Sequence, residues 1–348
     1  AYLALAGEAP MGDAPKFALQ AAQCMLIHTG GMLPENADAV VMLEYTQETR
    51  PSAGAGAAGR LDEIEILRAV AEGENVIAVG EDMAQGRVVQ AAGSVMRPAE
   101  IGGLMALGVT TIRVAKKVRV GLVSSGDEVV PPHVSPRPGQ VRDVNSYTLA
   151  ALAAQTGGEA RLYGIAGDSF DALQGVAARA LAECDLLVIT AGSSASTRDM
   201  TADVIATLGA PGVLVHGVNT RPGKPTILGV CDGKAVIGLP GNPVSALVNG
   251  YLFVAPVIER LLGVLPRPRP VVQARLAVNL PSQAGREDWW PVKLLPSPKG
   301  GQGEGWSAEP IFGKSNLIFT LAAADGLLRI PPDATGLEAG EVVEVILL

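Results

Sequence analysis

Two proline–glycine turns in the second half of the chain carry residue types that could bind an anion. The first reads RPGKP (residues 221–225) and places two cations around a Pro-Gly pair. The second reads PGNP (residues 240–243), and the apolar residues after it continue with helical periodicity to Gly263. Asn242 is a favoured N-cap residue and Pro243 suits the first helical position, so this turn predicts an open, anion-attracting helix N-terminus. Together the turns predict a phosphorylated or oxyanionic ligand.

Acidic residues follow three segments that have the pattern of buried strands. Asp127 and Glu128 come after the first segment, Asp168 comes after the second, and Asp199 lies beyond the third. Because the carboxyl ends of parallel strands share one edge of a sheet, we expect these residues at the same rim as the two turns. Carboxylates next to cations are typical of a Mg²⁺ site in which a few carboxylates and the phosphates of the substrate bind the ion. Each residue alone could equally be a helix N-cap or a solvated turn residue.

The elements that must position these loops alternate apolar runs with helical patterns. The runs with the pattern of strands are 118–125, 161–165, 185–192, 213–215, 226–230 and 235–239. Near-continuous Val, Leu and Ile runs separated by helices predict a doubly wound, mostly parallel sheet that is covered on both faces. The loop TAGSSAST (190–197) follows the third run, and its small polar residues, with Gly192 and Ser193 among them, could cradle a phosphate or a polar heterocycle.

Changes in pattern divide the chain into four predicted domains. Residues 1–82 indicate a β-rich domain, expected to be incomplete at its N-terminus, and 83–117 indicate the remnant of a small α+β linker domain. The α/β domain covers 118–266, and 267–348 indicate a C-terminal β-barrel-like domain. Within the linker, Pro98 predicts the start of a short helix and residues 110–114 predict a strand.

The composition excludes several classes of function. A net charge of −8 argues against non-specific nucleic-acid binding, which needs a basic surface. The three cysteines have no C-x-x-C spacing, so neither a disulfide framework nor a structural zinc site is predicted. The longest apolar run, at 246–258, is interrupted and too short to predict a membrane span, and the first residues lack the pattern of a signal peptide. We therefore expect a cytoplasmic protein with a local basic pocket.

Several motifs, in order along the whole chain, carry a resemblance to a known family. In the α/β region they are VRVGLVSSGDEVV (118–130), PGQVRDVNSYTL (138–149), DLLVITAG (185–192), RPGKP (221–225) and GLPGNPVSALV (238–248). Upstream they are HTGGMLPENADAVVMLE (28–44), GED (80–82) and GSVMRPAEIGGLMALG (93–108). On these motifs the chain resembles the molybdopterin molybdenumtransferase family, known as MoeA and as the gephyrin E domain.

The resemblance implies a transferase of molybdenum cofactor biosynthesis. Members insert molybdenum from molybdate into adenylylated molybdopterin and release AMP in a Mg²⁺-dependent step. They are homodimers of multidomain α/β subunits, with a cleft between one subunit's sheet domain and the other subunit's β-rich domain. The region 118–266 is similar to the family's molybdopterin-binding domain. Other proteins of the same biosynthesis are possible partners, whereas nucleic acid and membranes are not expected.

The family's site residues are carried over only where the motifs match. The expected catalytic residues are Asp82, Glu128, Asp168, Asp199 and Lys224. The expected substrate-binding residues are Thr29, Ser125, Gly126, Asp127, Gly192, Ser193, Arg221, Gly223, Pro240, Gly241, Asn242, Pro243 and Ser315. The expected Mg²⁺ ligands are Glu128, Asp168 and Asp199.

Two other functions remain open from the sequence. The family usually has a Ser-Gly-Gly-Val-Ser-x-Gly loop where this chain has residues 191–197, and arginines often stand where this chain has Ile77, Ala78 and Val79. Both departures would fit a non-catalytic molybdopterin-binding or scaffold protein. Adenylyl transfer to molybdopterin is the third hypothesis, because the adenylylating proteins share the sheet domain. They consist of that domain alone, so the β-rich flanks of this chain argue against it.

Overall fold

A computed structural model describes residues 1–49, 63–191, 195–296 and 305–348, with no side chains described for 195–199. The chain forms two units, residues 1–89 and 90–348. In the first, β1 (Tyr2–Ala9) pairs in parallel with β2 (Gln23–Ile27). Antiparallel β3 (Thr46–Thr49) and β4 (Glu63–Ile66) complete a mixed sheet of order β2-β1-β4-β3, with a short 3-10 helix at Leu43–Tyr45. This unit has the β-rich character that its alternating residues predict.

The second unit begins with the linker segment. Helix α1 (Pro98–Ala106) starts at the predicted proline, which needs no hydrogen-bond acceptor at that position. The strand predicted at 110–114 is wrong, because the described residues 107–118 form no strand. Ile112 and Val114 are exposed there. Their β-branched side chains favour an extended backbone, but a strand also needs a neighbour to pair with.

The α/β region follows as strands and helices in alternation. Its elements are β5 (Arg119–Ser125), β6 (Val129–Val130), β7 (Val141–Arg142), α2 (Asn145–Gln155), β8 (Glu159–Ala166), α3 (Phe170–Glu183), β9 (Leu186–Ala191), α4 (Ala195–Thr207), β10 (Pro211–His216), β11 (Thr220–Arg221), β12 (Ile227–Cys231) and β13 (Lys234–Pro240). The sheet order is β10-β12-β13-β9-β5-β8. Four neighbouring strands, β13, β9, β5 and β8, are parallel, and β12 runs antiparallel to both of its neighbours. The predicted mostly parallel sheet is confirmed.

Apolar side chains cover both faces of this sheet. On one face, Leu149 and Leu152 of α2 pack with Val254 and Ile258 against the strands. On the other face, the buried residues of α3 and α4 include Leu173, Ala177, Val204 and Ile205. Burial on both sides explains why these strands are near-continuous runs of aliphatic residues instead of alternating patterns.

One long helix lies on the first face. It consists of α5 (Pro243–Asn249), a π-helical turn (Gly250–Val254) and α6 (Ala255–Leu261). The apolar run at 246–258 lies inside this helix, and the whole helix Pro243–Leu261, with 19 residues and a mean hydropathy of 1.3, is long and apolar enough to cross a membrane by length and composition alone. Val254 and Ile258 are buried in the sheet core, so the run is apolar because it packs inside the domain.

The C-terminal region forms a closed barrel. Its elements are β14 (Val271–Leu276), β15 (Leu280–Pro281), β16 (Glu287–Pro296), β17 (Trp306–Pro310), α7 (Ile318–Ala322), β18 (Gly326–Ile330), β19 (Gly336–Leu337) and β20 (Val342–Leu347). The barrel order β16-β17-β14-β20-β18 closes because β18 also pairs with β16. The predicted barrel is confirmed. In addition, β11 of the α/β region pairs in parallel with β16, opposing Thr220 to Glu287 and Arg221 to Asp288.

Buried polar side chains join the carboxyl ends of β5 and β9 to the start of α2. The Ser124 hydroxyl lies 3.1 Å from Asp143 Oδ1, 2.9 Å from Ser146 Oγ and 3.2 Å from Thr190 Oγ1. The Ser146 amide donates to the same Asp143 oxygen over 3.1 Å. Hydrogen bonds between buried groups have few alternative geometries, so the loops that leave these strands start from fixed positions.

We expect Asp143→Ala to lower the free energy of unfolding by about 2 kcal/mol, because it leaves a buried hydroxyl and a buried amide without their acceptor. Urea unfolding measures this loss. Asp171→Ala is the matched control, since Asp171 is an exposed carboxylate in the first turn of α3. Equal losses in the two variants would contradict the role of the buried cluster.

An ion pair holds the opposite end of the sheet. Asp185 accepts hydrogen bonds from the Arg119 backbone amide and guanidinium at 2.8–3.1 Å. The side-chain hydrogen bonds from Arg119 are the main cause that holds the pKa of Asp185 below its ordinary value of 3.8. A depressed carboxyl pKa adds stability that is present above the ordinary pKa and is lost as the pH falls through the folded value.

Asp185→Asn should therefore unfold more easily than the parent at pH 7, by no more than about 1 kcal/mol because water screens a half-exposed pair. The two proteins should converge in stability as the pH falls below 3.8, where the parent carboxylate also becomes protonated. Denaturant melts at a series of pH values measure the difference. A gap that stays constant down to the acid limit would contradict this account.

Candidate active site

The two proline–glycine turns lie at the same rim of the sheet. β12 begins at Ile227, which pairs with Gly238 near the carboxyl end of β13. Residues 221–225 enter β12 and residues 241–242 leave β13, so both turns lie at the carboxyl ends of the parallel strands. Ligands of open α/β sheets bind at this edge.

Hydrogen bonds from several elements hold the 221–225 turn. The Val218 amide donates to the Lys224 carbonyl over 2.9 Å, and the Thr226 hydroxyl donates to the Gly223 carbonyl over 2.8 Å. From α5, Asn249 Nδ2 donates to the Pro222 carbonyl over 3.0 Å. Gly223 has φ +112°, and a Cβ there would lie 1.7 Å from Asn249 Nδ2. Glycine is therefore required at this position by both backbone conformation and space.

The 240–243 turn differs from the sequence-based expectation at the helix start. Asn242 occupies the N-cap position, but its side chain makes no capping hydrogen bond. Pro243 has no N–H, and the Val244 amide donates to the Ser315 carbonyl over 2.9 Å. A barrel residue therefore already uses the first available donor of the predicted open N-terminus. Asn145 Nδ2 holds this turn from α2 by donating to the Gly241 carbonyl over 2.8 Å.

A cavity of about 720 Å³ lies between these two turns and the barrel. Four cationic side chains line it: Arg221, Lys224, Arg286 and Lys314. Gly223, Pro240, Asn242 and Ser315, four of the expected substrate-binding residues, also line it. No carboxylate is among the described residues of the lining, so the cavity is a local basic pocket in an acidic protein.

The four cations are not equally free. Asp288, only 1% exposed, accepts hydrogen bonds from Arg286 Nε at 2.8 Å and Nη2 at 3.3 Å. The same carboxylate lies 3.5 Å from Arg221 Nη1, and the Arg221 guanidinium carbon lies 5.5 Å from the centre of the Trp290 ring. Within the described parts of the chain, Lys224 and Lys314 have no ion-pair partner. The cavity therefore contains two fixed arginines and two uncompensated ammonium groups.

The acidic residues meet at the other side of the same rim. Asp168 accepts hydrogen bonds from the Ser125 hydroxyl at 3.2 Å and from the Asp127 amide at 3.4 Å. In return the Asp168 amide donates to Asp127 Oδ1 over 3.1 Å. A Cβ on Gly126 would lie 2.7 Å from Glu128 Oε2, so this glycine lets the Glu128 carboxylate fold back over the loop. The structure thus brings together Ser125, Gly126, Asp127, Glu128 and Asp168.

The acidic loops do not line the basic cavity. β8, which precedes Asp168, is separated from β13 by two strands, and this is a span of about 14 Å at ordinary strand spacing. The rim therefore has an acidic end and a basic end. Such a separation suits an extended ligand whose charged groups lie far apart.

Several expected site residues are not placed at this rim. Gly192, Ser193 and the Asp199 side chain lie outside the described residues. Thr29 and Asp82 belong to the unit 1–89, where both are exposed. Among the described residues there is no group of three side chains that could hold a metal ion by themselves.

The sequence interpretation missed Asn145, Asn249, Arg286, Asp288 and Lys314. Lys314 stands beside the predicted Ser315, and Arg286 and Asp288 lie close together in one charged segment, so those three carried a weak signal. Asn145 is the first residue of α2, among other polar residues, and Asn249 is a single polar residue inside an apolar helical pattern. Their roles depend on contacts with distant turns and cannot be inferred from local sequence.

Comparisons with known proteins agree with this architecture. Residues 121–260 match a model described as a probable molybdopterin binding domain. Residues 3–108 match the MoeA N-terminal region (domain I and II), and residues 273–348 match the MoeA C-terminal region (domain IV). A solved structure of the molybdopterin biosynthesis MoeA protein from Pyrococcus horikoshii is 35% identical with a TM-score of 0.74, and the match covers 99% of this chain and 81% of that one.

Curated relatives point the same way. The molybdopterin molybdenumtransferase of Nostoc sp. is 33% identical over 352 residues, which cover 99% of this chain and 77% of the relative. Molybdopterin molybdenumtransferase 2 of Mycobacterium tuberculosis is 30% identical over 348 residues, which cover 99% of this chain and 82% of the relative. With the sheet, the barrel and the basic rim between them, these matches show that the chain belongs to the MoeA family.

Proposed function

We propose that this chain is a molybdopterin molybdenumtransferase that inserts molybdenum from molybdate into adenylylated molybdopterin. The observation that carries the proposal is the cavity between sheet and barrel, with four cations in its lining and two of them uncompensated. Molybdate is a tetrahedral dianion, and its charge matches this pocket. A volume of about 720 Å³ also leaves room for part of a pterin beside the oxyanion.

The cations of the cavity have different tasks. Arg286 presents a guanidinium whose orientation is set by Asp288, so its remaining N–H groups can donate to an oxyanion with little loss of freedom. Lys224 and Lys314 supply mobile ammonium charges that adapt to the ligand. Arg221 is held between Asp288 and the Trp290 ring and adds positive potential at the edge of the site.

We assign the acidic end of the rim to the phosphate-bearing part of the substrate. Glu128 and Asp168, together with Asp199, would hold Mg²⁺, which would neutralise charge that develops on the departing AMP. The donor set fits this ion, because Mg²⁺ binds through one or two carboxylates and completes its shell with phosphate oxygens and water. The hydrogen bonds from Ser125 and Asp127 keep Asp168 oriented for such a role.

Positioning and electrostatics account for the chemistry on the protein side. The dithiolene sulfurs of the substrate replace two oxygens of molybdate, which leave as water or hydroxide, so no protein nucleophile is required. The chain's task is to hold the oxyanion and the pterin in contact and to stabilise charge as it moves. Fixed cations in a partly enclosed cavity do this better than mobile water.

Other parts of the proposal rest on the family resemblance. Thr29, Asp82, Gly192 and Ser193 are assigned to the pterin and nucleotide, and Asp199 to the metal. The working form is a homodimer in the cytoplasm, in which the partner's β-rich domain completes the cleft. Transfer of the cofactor to further proteins of molybdenum cofactor biosynthesis follows from the same function.

The test is molybdate-dependent release of AMP from adenylylated molybdopterin by this protein in the presence of Mg²⁺. We expect AMP release to require both ions. Tight binding of the pterin without AMP release would overturn the transferase assignment in favour of a non-catalytic binder. AMP transfer from ATP to free molybdopterin would instead indicate an adenylyltransferase.

Lys224→Ala should weaken molybdate binding about tenfold, because one close cation contributes about 1.4 kcal/mol in a partly desolvated pocket. Calorimetric titration with molybdate measures the change. Lys116→Ala removes the same charge from an exposed position outside the cavity, and it should bind molybdate like the parent. Unchanged affinity in Lys224→Ala would contradict the assigned role of the turn.

Asp168→Asn should lower AMP release at least about tenfold and raise the Mg²⁺ concentration needed for half-maximal rate, since the metal loses one anionic ligand. Molybdate affinity should stay at the parent value because Asp168 does not line the basic cavity. Asp171→Asn, three residues later on the exposed start of α3, is the control. A parallel loss of thermal stability and rate in Asp168→Asn would indicate a structural residue instead.

A further inference from the structure

Asn249 is a buried polar residue that has no role in the proposed chemistry. It lies on α5 with 0% of its surface exposed. Its Nδ2 donates to two backbone carbonyls, that of Ser245 at 2.7 Å and that of Pro222 at 3.0 Å. Its Oδ1 is buried and has no hydrogen-bond partner among the residues that the structure describes. The side chain therefore connects the core helix directly to the basic turn.

The amide of Asn249 lies against the backbone of that turn. A Cβ on Gly223 would lie 1.7 Å from Nδ2, 2.5 Å from Cγ and 2.7 Å from Oδ1. The side chain thus occupies the place that a residue with a Cβ at position 223 would need. The Pro222 carbonyl accepts a hydrogen bond from Asn249, and Gly223 packs against the Asn249 side chain. This part of the turn therefore cannot shift toward the helix.

Lys224 is the next residue along the chain. Its own carbonyl accepts a hydrogen bond from the Val218 amide at 2.9 Å. The backbone of Lys224 is therefore held from the α5 side through Pro222 and Gly223, and from the other side through Val218. The side chain of Lys224 extends from this fixed backbone into the lining of the cavity.

The stability of the helix does not explain an asparagine at this position. Ser245 lies four residues before Asn249 on the same helix. In an α-helix the backbone N–H four positions later donates to such a carbonyl, so Ser245 needs no side-chain donor. An apolar residue of similar volume would avoid burying the unpaired Oδ1, which is a cost. What asparagine alone adds is the hydrogen bond to Pro222.

We propose that Asn249 is a positioning residue of the oxyanion site, which sets the location of the Lys224 ammonium through the backbone of residues 222–224. The proposal rests on the proposed function, in which Lys224 binds the oxyanion. Asn249 contacts no ligand itself. Its effect on binding passes through Lys224 and disappears when the Lys224 charge is absent.

A double-mutant cycle on the full chain tests this dependence, with molybdate alone as the probe in calorimetric titrations. Asn249→Ala should weaken molybdate binding about tenfold in the parent background. In the Lys224→Ala background the same substitution should have almost no further effect, because residues that act through one another are not additive. Asn249→Leu keeps a similar volume and removes the donor, so it should reproduce the loss if the alanine variant folds poorly.

Ile258→Val on the same long helix is the control for a general loss of packing, since Ile258 is buried in the sheet core. It should lower the melting temperature and leave molybdate affinity unchanged. Parent-like affinity in both Asn249 variants, or an equal loss in both backgrounds, would overturn the positioning role. Unchanged affinity in Lys224→Ala by itself would overturn the oxyanion site, which is a separate and distinguishable failure.

Discussion

The basic cavity depends on one turn that is bonded to two sheets. β11 pairs with β16 of the barrel, and the chain then passes through residues 221–225 into β12 of the six-stranded sheet. The turn is therefore held at the junction of sheet and barrel. A second bond across the same junction, from the Val244 amide to the Ser315 carbonyl, brings the barrel loop against the helix start. The lining cations come from both sides because of these two connections.

One buried carboxylate, Asp288, offsets part of the positive charge of this cavity. Asp288 contacts two of the four cations and orients Arg286 most closely. Its burial makes the pairing geometry strict, because an unpaired buried charge is expensive. The two lysines have no such partner in the described structure, so the cavity keeps a net positive charge while its arginines are fixed. A pocket of this kind combines ordered hydrogen-bond donors with adaptable point charges.

The sequence predicted the elements whose patterns are local. Aliphatic runs between helical segments predicted the sheet, and Pro98 predicted the start of α1. The parallel arrangement expected of these strands also predicted that both turns would lie at one rim. The helix start at Pro243 was predicted as open because Asn242 and Pro243 are favoured at the first positions of a helix. In the structure the Val244 amide donates to the Ser315 carbonyl, more than 70 positions away in the chain. No local sequence pattern predicts that contact. The same is true of the hydrogen bonds by which Asn145 and Asn249 hold the two turns.

We propose that the cavity between sheet and barrel binds a tetrahedral oxyanion through Lys224, Lys314 and Arg286. A crystal structure of the protein soaked with tungstate tests it most directly, because the anomalous signal of tungsten locates the anion without ambiguity. We expect one strong site inside the cavity, with the oxygens in hydrogen-bond contact with these three side chains. Tungsten bound only elsewhere, for example beside Glu128 and Asp168, would contradict it.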